Sequence, residues 1–213
     1  QAEHKKPLLK QEKNQQKNDS APQPRAISKH TFTKGTKLGS GSFGTVYKGI
    51  WNKQDVALKE IQGFTIPQAK EELQNEIDIM VRLDSPYIVK LHGICYEAVT
   101  IVMEYMPKGS LSSFLQGTEC PGWSNGRYQI GLDITYGLVY LHSNNIIHLD
   151  LKSGNVLINA QGRAKLSDFG MSKLKADGGL TYDKTLIGEG NRGGTWRWMA
   201  PELFETGNKP TKQ

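Results

Sequence analysis

The sequence predicts an α+β fold made of two unequal parts. Short extended patterns with one helical stretch among them fill residues 31–106, whereas residues 107–213 open on helices. Proline and glycine at Pro107–Ser110 mark the boundary. A third segment, residues 1–30, is rich in Gln, Lys, Asn and Pro and stands apart from both.

The elements follow in order. Thr33 to Ile50 reads as two strands around a glycine-rich turn, and Asp55–Ile61 as a third. Thr65, Pro67, Glu71 and Glu72 have the pattern of a helix start: a cap, an early proline and acids in the first turn. Leu73, Ile77, Met80 and Val81 give that helix an apolar face, and Asp84-Ser85-Pro86 ends it. Strand patterns return at Ile88–Leu91 and Thr100–Met103. Ser110–Leu115 predicts a short helix, and Ile130, Ile134, Leu138 and Leu141 a longer one, with Asp133 facing outward. Three brief strands close the pattern: Ile146–Ile147, Val156–Ile158 and Ala164–Leu166. No internal repeat is present.

Composition limits the function. Hydrophobic residues make up 37% of the 213 and charged residues 23%, which excludes a collagen-like or wholly disordered chain. No apolar run approaches the roughly 20 residues of a membrane-spanning helix, so stable membrane insertion is not expected. The net charge of +6 suggests nucleic acid, but residues 1–30 hold seven basic side chains against three acidic ones. The basicity is therefore mostly that of a leader too polar to fold, expected to be solvated and disordered. No aromatic residues are interleaved there to stack on bases, so no nucleic-acid partner is expected. Cys95 and Cys120 share no metal-ligand spacing and fit a reducing, cytoplasmic compartment. The opening at Gln1, without methionine or a signal pattern, predicts a piece of a longer polypeptide.

Three clusters carry chemistry. Gly39-Ser-Gly41-Ser-Phe-Gly44-Thr-Val46 alone fits a surface turn, a dinucleotide loop or a nucleotide-covering hairpin. Because a strand pattern, not a helix, follows Gly44, the hairpin is favoured. Glycines there let backbone N–H groups approach phosphate oxygens. Lys59 ends the apolar strand Val56-Ala57-Leu58. It is either a snorkelling surface lysine or half of a buried pair, with Glu76 the natural partner. Between apolar strand fragments, His148-Leu149-Asp150-Leu151-Lys152-Ser-Gly-Asn155 presents a carboxylate, an ammonium and an amide. Asp168-Phe169-Gly170 adds a second carboxylate. Asp168 with Asn155 offers hard oxygen ligands suited to Mg²⁺, which leaves Asp150 to meet a substrate hydroxyl. A glycosidase-type carboxylate pair is the rival, but Lys152 and the glycine loop favour phosphoryl transfer.

The ordered set GxGxxGxV, VALK, helix glutamate, HLDLKSGN, DFG and APE resembles a eukaryotic-type protein kinase. The stretch Gly194 to Glu202 is most similar to the tyrosine-kinase-like group of serine/threonine kinases. The resemblance covers residues 38–202 and implies a bilobal fold. It divides the chain into a disordered leader (1–30), a small lobe with hinge (31–106) and a partial large lobe through the activation segment (107–213). It implies an enzyme that moves the γ-phosphoryl group of Mg·ATP to serine or threonine hydroxyls of a protein substrate. The same likeness carries the roles. Leu38, Gly39, Gly41 and Gly44 would lie over ATP; Val46, Ala57 and Leu157 would sandwich the adenine. Met103 takes the gatekeeper position, and the backbone of Glu104 and Met106 would bond the adenine edge. Lys59, braced by Glu76, would hold the α/β-phosphates. Asp150 would accept the hydroxyl proton, Lys152 would neutralise the γ-phosphate, and Asn155 and Asp168 would hold Mg²⁺. Met80, Leu91, His148 and Phe169 fall where the family stacks an apolar spine. Lys152 and Thr195 favour serine/threonine over tyrosine.

Two departures stand out. Leu149 replaces the usual arginine and cannot pair with a phosphate on the activation segment, so activity should depend little on phosphorylation within Asp168–Glu202. The chain also ends at Gln213, before the family's remaining helices, so these residues alone would bind nucleotide poorly or fold incompletely. The competing reading is a catalytically inactive scaffold that acts by protein binding. It would require loss of Lys59, Asp150, Asn155 or Asp168, and all four are present.

Overall fold

The computed structural model describes residues 22–41, 44–60, 74, 76–118, 122–174 and 196–198. The expected helix start at Thr65–Glu72, with Leu73, lies outside these residues, as do residues 1–21, Cys120, Thr181, Tyr182, Thr185, Thr195 and Glu202.

Alternating apolar residues build the first part. Strands β1 (Phe32–Gly41), β2 (Gly44–Trp51), β3 (Gln54–Glu60), β4 (Leu91–Cys95) and β5 (Thr100–Glu104) form one antiparallel sheet in the order β1-β2-β3-β5-β4. Side chains along a strand alternate between faces. Val56, Leu58 and Val102 accordingly join Trp51 and Ile27 in one buried cluster. Ile101 turns the other way and packs with Ile94, Val99 and Ile77. Ile77 belongs to helix α1, described over residues 76–80, on which Glu76 is also buried. The alternation that hides Leu58 thus sends Lys59, paired with Ile101 in the ladder, to the α1 side of the sheet.

The second part is led by helices. Ser110 caps α2 (Leu111–Gln116), its hydroxyl accepting the Ser113 N–H at 3.2 Å. Helix α3 (Tyr128–Ser143) follows, then β6 (Ile146–Ile147), β7 (Val156–Ile158), β8 (Ala164–Leu166) and β9 (Lys173–Leu174). The last four pair as β6–β9 and β7–β8. Their core gathers Ile79, Met80, Ile88, Phe114, Ile130, Leu141, Ile158, Leu166 and Phe169, with Leu91 packed against it. Met80, Leu91 and Phe169 therefore share one apolar cluster, and His148 lies against Phe169 at 5.2 Å between ring centroids.

Four expectations are corrected. Asp133 faces inward and is buried, because Arg163 reaches it from the β7–β8 turn with bonds of 2.8 and 2.6 Å. The Ala164 N–H and the Gln129 amide complete its shell. The strand expected at Ile88–Leu91 begins at Leu91 instead. Residues 87–89 bond β8: the Val89 N–H donates to Leu166 O at 2.9 Å and the Leu166 N–H to Tyr87 O at 2.8 Å. The leader is ordered at its end, where the Ile27 N–H donates to Ile94 O and the Ile94 N–H to Arg25 O, both at 2.8 Å. Ile27 is buried and the Arg25 guanidinium lies over Trp51, so this stretch has a sheet edge and an apolar face to dock on. The sequence pattern predicts no strand at β9; pairing with β6 supplies what its own two residues cannot.

Candidate active site

The glycine-bearing end of β1 and β2, the inner face of β3 and the chain leaving β5 roof a cavity of about 620 Å³. Its floor comes from the second part of the molecule. Leu38, Gly39, Gly41, Gly44, Val46, Ala57, Lys59, Glu76, Met103, Glu104 and Met106 line it from above, and Lys152, Asn155, Leu157 and Asp168 from below. Fifteen of the sixteen residues singled out from sequence therefore border one space. Asp150 does not line it. It is buried one hydrogen bond away, accepting the Asn155 amide at Oδ2 (2.8 Å) and at its own carbonyl (2.9 Å).

Electrostatics organise the cleft. Lys59 Nζ donates to both carboxylate oxygens of Glu76, at 2.9 and 2.7 Å, and to Asp168 Oδ1 at 2.9 Å. Burial alone would push the ammonium towards neutrality; Glu76 and then Asp168 overcome it and hold Lys59 above its ordinary pKa. The lysine is thus a fixed positive charge, not a snorkelling one. Lys152 Nζ lies 2.8 Å from Asp150 Oδ2 and forms a second ion pair at the floor. At the back, Lys165 Nζ donates to both oxygens of Glu104 at 2.8 Å.

Buried bonds join the loop holding Asp150 to the segment holding Asp168. The Ser167 N–H and hydroxyl both donate to Asn155 O at 2.9 Å. The Asp150 N–H donates to His148 Nδ1 at 3.4 Å, which makes Nε2 the donor to Ser167 O at 3.0 Å. Burial pushes the His148 imidazole below its usual pKa against the pull of Ser167 O and both aspartates, in keeping with this neutral tautomer. Ser167, Val89, Tyr105, Ser110 and Ser113 also border the cavity and were missed in the sequence. Adjacency was the one signal available for Ser167, beside Asp168, and for Tyr105, between Glu104 and Met106; the others have none in local spacing.

The donors suit a hard cation. Asn155 turns its amide nitrogen to Asp150, so its carbonyl oxygen is the atom offered to a ligand, and Asp168 has a second carboxylate oxygen beyond the one on Lys59. Among the described residues no group of three or more His, Cys, Asp or Glu side chains could hold a metal by itself. A cation here would need oxygens from its substrate, as Mg²⁺ with phosphate does.

Comparison with known proteins agrees with the geometry. Residues 32–212 match the sequence profile of the family described as protein tyrosine and serine/threonine kinase. The chain is similar to "Serine/threonine-protein kinase STY46" of Arabidopsis thaliana, 36% identical over 80% of this chain and 29% of that protein. It also resembles "Dual specificity protein kinase shkB" of Dictyostelium discoideum, 36% identical over 82% of this chain and 27% of that protein. "Calcium/calmodulin-regulated receptor-like kinase 2" of Arabidopsis thaliana is 38% identical over 87% of this chain and 42% of that protein. The chain spans less than half of each of these relatives.

Proposed function

This chain belongs to the protein tyrosine and serine/threonine kinase family, and on that premise we propose that the protein transfers the γ-phosphoryl group of ATP to serine or threonine hydroxyls of a protein substrate. One observation carries the reading. The Lys59–Glu76 pair reaches Asp168 across the same cleft whose floor holds Lys152 and Asn155, both bonded to Asp150.

In this proposal Leu38, Val46, Ala57 and Leu157 grip the adenine and the Gly39–Gly44 hairpin covers the phosphates. The backbone after Met103, at Glu104 and Met106, bonds the base edge. Lys59 holds the α/β-phosphates at a charge fixed by Glu76. Asp150 orients the acceptor hydroxyl and takes its proton as the oxygen–phosphorus bond forms, while ADP leaves with the electrons of the broken bond. Lys152 balances charge on the phosphoryl group in transit. Mg²⁺ held by Asn155 and Asp168 would neutralise phosphate charge. Residues 31–106 serve as small lobe and hinge and residues 107–213 as part of the large lobe, with Arg25–Ile27 docked on the former. Serine/threonine preference rests on Lys152, on Thr195 and on the names of the relatives. A cytoplasmic setting belongs to the same proposal and is favoured by Cys95, which is buried and free.

Transfer of labelled γ-phosphate to a protein acceptor, followed by phosphoamino-acid analysis, tests this. Asp150→Ala and Lys59→Met should each lower kcat roughly a hundred- to ten-thousand-fold. Equal background from wild type and both variants would hand the protein to the scaffold reading.

A further inference from the structure

Leu149 adopts φ 63°, a left-handed conformation that a bulky side chain visits rarely and at a cost. Such a conformation lasts only where neighbouring contacts over-determine it. The contacts around it converge on His148. Its ring spans from the Asp150 N–H to Ser167 O, and its carbonyl accepts the Ser172 hydroxyl at 3.0 Å. Ser172 is completely buried. Its N–H donates to Phe169 O at 2.9 Å, closing a turn directly after Asp168, and the next two residues pair with β6. Ser172 is thus where the segment following Asp168 is fastened to the strained turn that presents Asp150.

We propose that Ser172 is a positioning residue. Its hydroxyl holds the His148 peptide, and through it the left-handed Leu149 turn, so that Asp150 keeps its pose only while the segment after Asp168 is docked. This rests on the kinase reading above and deepens it. The Leu149 side chain has no donor for a phosphate, and the buried neutral Ser172 hydrogen bond joins the β6–β9 pairing in linking the two segments instead.

The test compares wild type, Ser172→Ala, Leu149→Asn and the double variant. Asparagine keeps leucine's branching at Cγ and tolerates left-handed backbone, so it relieves the strain Ser172 is proposed to restrain. Steady-state transfer, amide hydrogen exchange and thermal melting are read for each. Ser172→Ala should lower kcat about five- to tenfold, the worth of one lost buried hydrogen bond, with KM for ATP within about twofold of wild type. Exchange should quicken at residues 148–151 and stay unchanged in β2, β3 and β5. In the Leu149→Asn background both effects of Ser172→Ala should shrink. Unchanged kcat and exchange in Ser172→Ala, or effects of equal size in both backgrounds, would overturn the proposal. So would a lower melting point with faster exchange throughout, since that marks a merely structural serine. If wild type transfers no phosphate, the kinase reading fails, and the exchange comparison still decides the role of Ser172.

Discussion

Lys59 stands between two carboxylates, and its surroundings make a sharp prediction about stability as distinct from activity. Glu76 is 3% exposed, so Lys59→Met strands a buried charge and should cost about 3–5 kcal/mol. Adding Glu76→Gln removes that charge and should restore most of the loss in urea denaturation while restoring no transfer activity. If stability and activity recover together, the pair is serving something other than phosphate binding. Asp133 shows where residue-level reading stops. Helical periodicity placed it outside because the pattern of α3 holds no trace of Arg163, thirty residues later. Burial raises its carboxyl, but bonds from Arg163, Gln129 and the Ala164 amide outweigh this and hold it below the usual pKa. The unfolded chain therefore takes up the proton first as pH falls. The stabilisation is complete above about pH 4, the ordinary carboxylate value, and drains away as pH drops through the lower folded value. Asp133→Asn should cost about 2 kcal/mol at pH 7, with the gap to wild type closing in acid; a gap independent of pH would refute this account.

At the scale of elements, alternation and capping made β1, β2, β3, β5, α2 and α3 legible, and short apolar runs did the same for β6, β7 and β8. Stretches whose structure depends on a distant partner alone were not. Residues 87–89 look like a strand because they are apolar, but their backbone bonds are spent on β8. Arg25–Ile27 look like more leader because a single isoleucine gives no pattern; a sheet edge and the face around Trp51 order them. Gly93 admits them. A Cβ there would stand 2.4 Å from Arg25 O and 2.8 Å from Ile27 Cδ1. Gly93→Ala should lift the docked segment, cost about 2–3 kcal/mol in buried isoleucine and backbone bonds, and speed tryptic cleavage after Arg25. Removing residues 1–27 should cost as much and leave Gly93→Ala only the backbone strain of φ 157° to lose. Fully additive losses would place the clash elsewhere than on that segment.

Across the whole molecule, the proposed site was more legible than the fold that assembles it. Its parts are short runs in which neighbours in sequence are neighbours in space, so HLDLKSGN carries its own geometry. What local spacing could not give was the set of bonds between runs: Lys59 to Asp168, Ser167 to Asn155, Ser172 to His148. Those bonds have a consequence for ligand binding. Asp168 spends one oxygen on Lys59, so Mg·ATP must share both groups between cation and phosphates. Binding should therefore be cooperative between the metal and the nucleotide. At a hundred times its dissociation constant, Mg·ATP should stabilise the protein by about 2.7 kcal/mol, or roughly 5–10 °C for a chain of this size. ATP with a chelator should give much less. Asp168→Asn keeps the shape of the side chain but weakens its hold on the cation. It should leave the ligand-free melting temperature within a few degrees and abolish most of the difference between ATP with and without Mg²⁺ in calorimetry. Equal Mg·ATP affinity in Asp168→Asn and wild type would mean that the cation is held elsewhere, and with it the assignment of Asn155 and Asp168 as its ligands would fall.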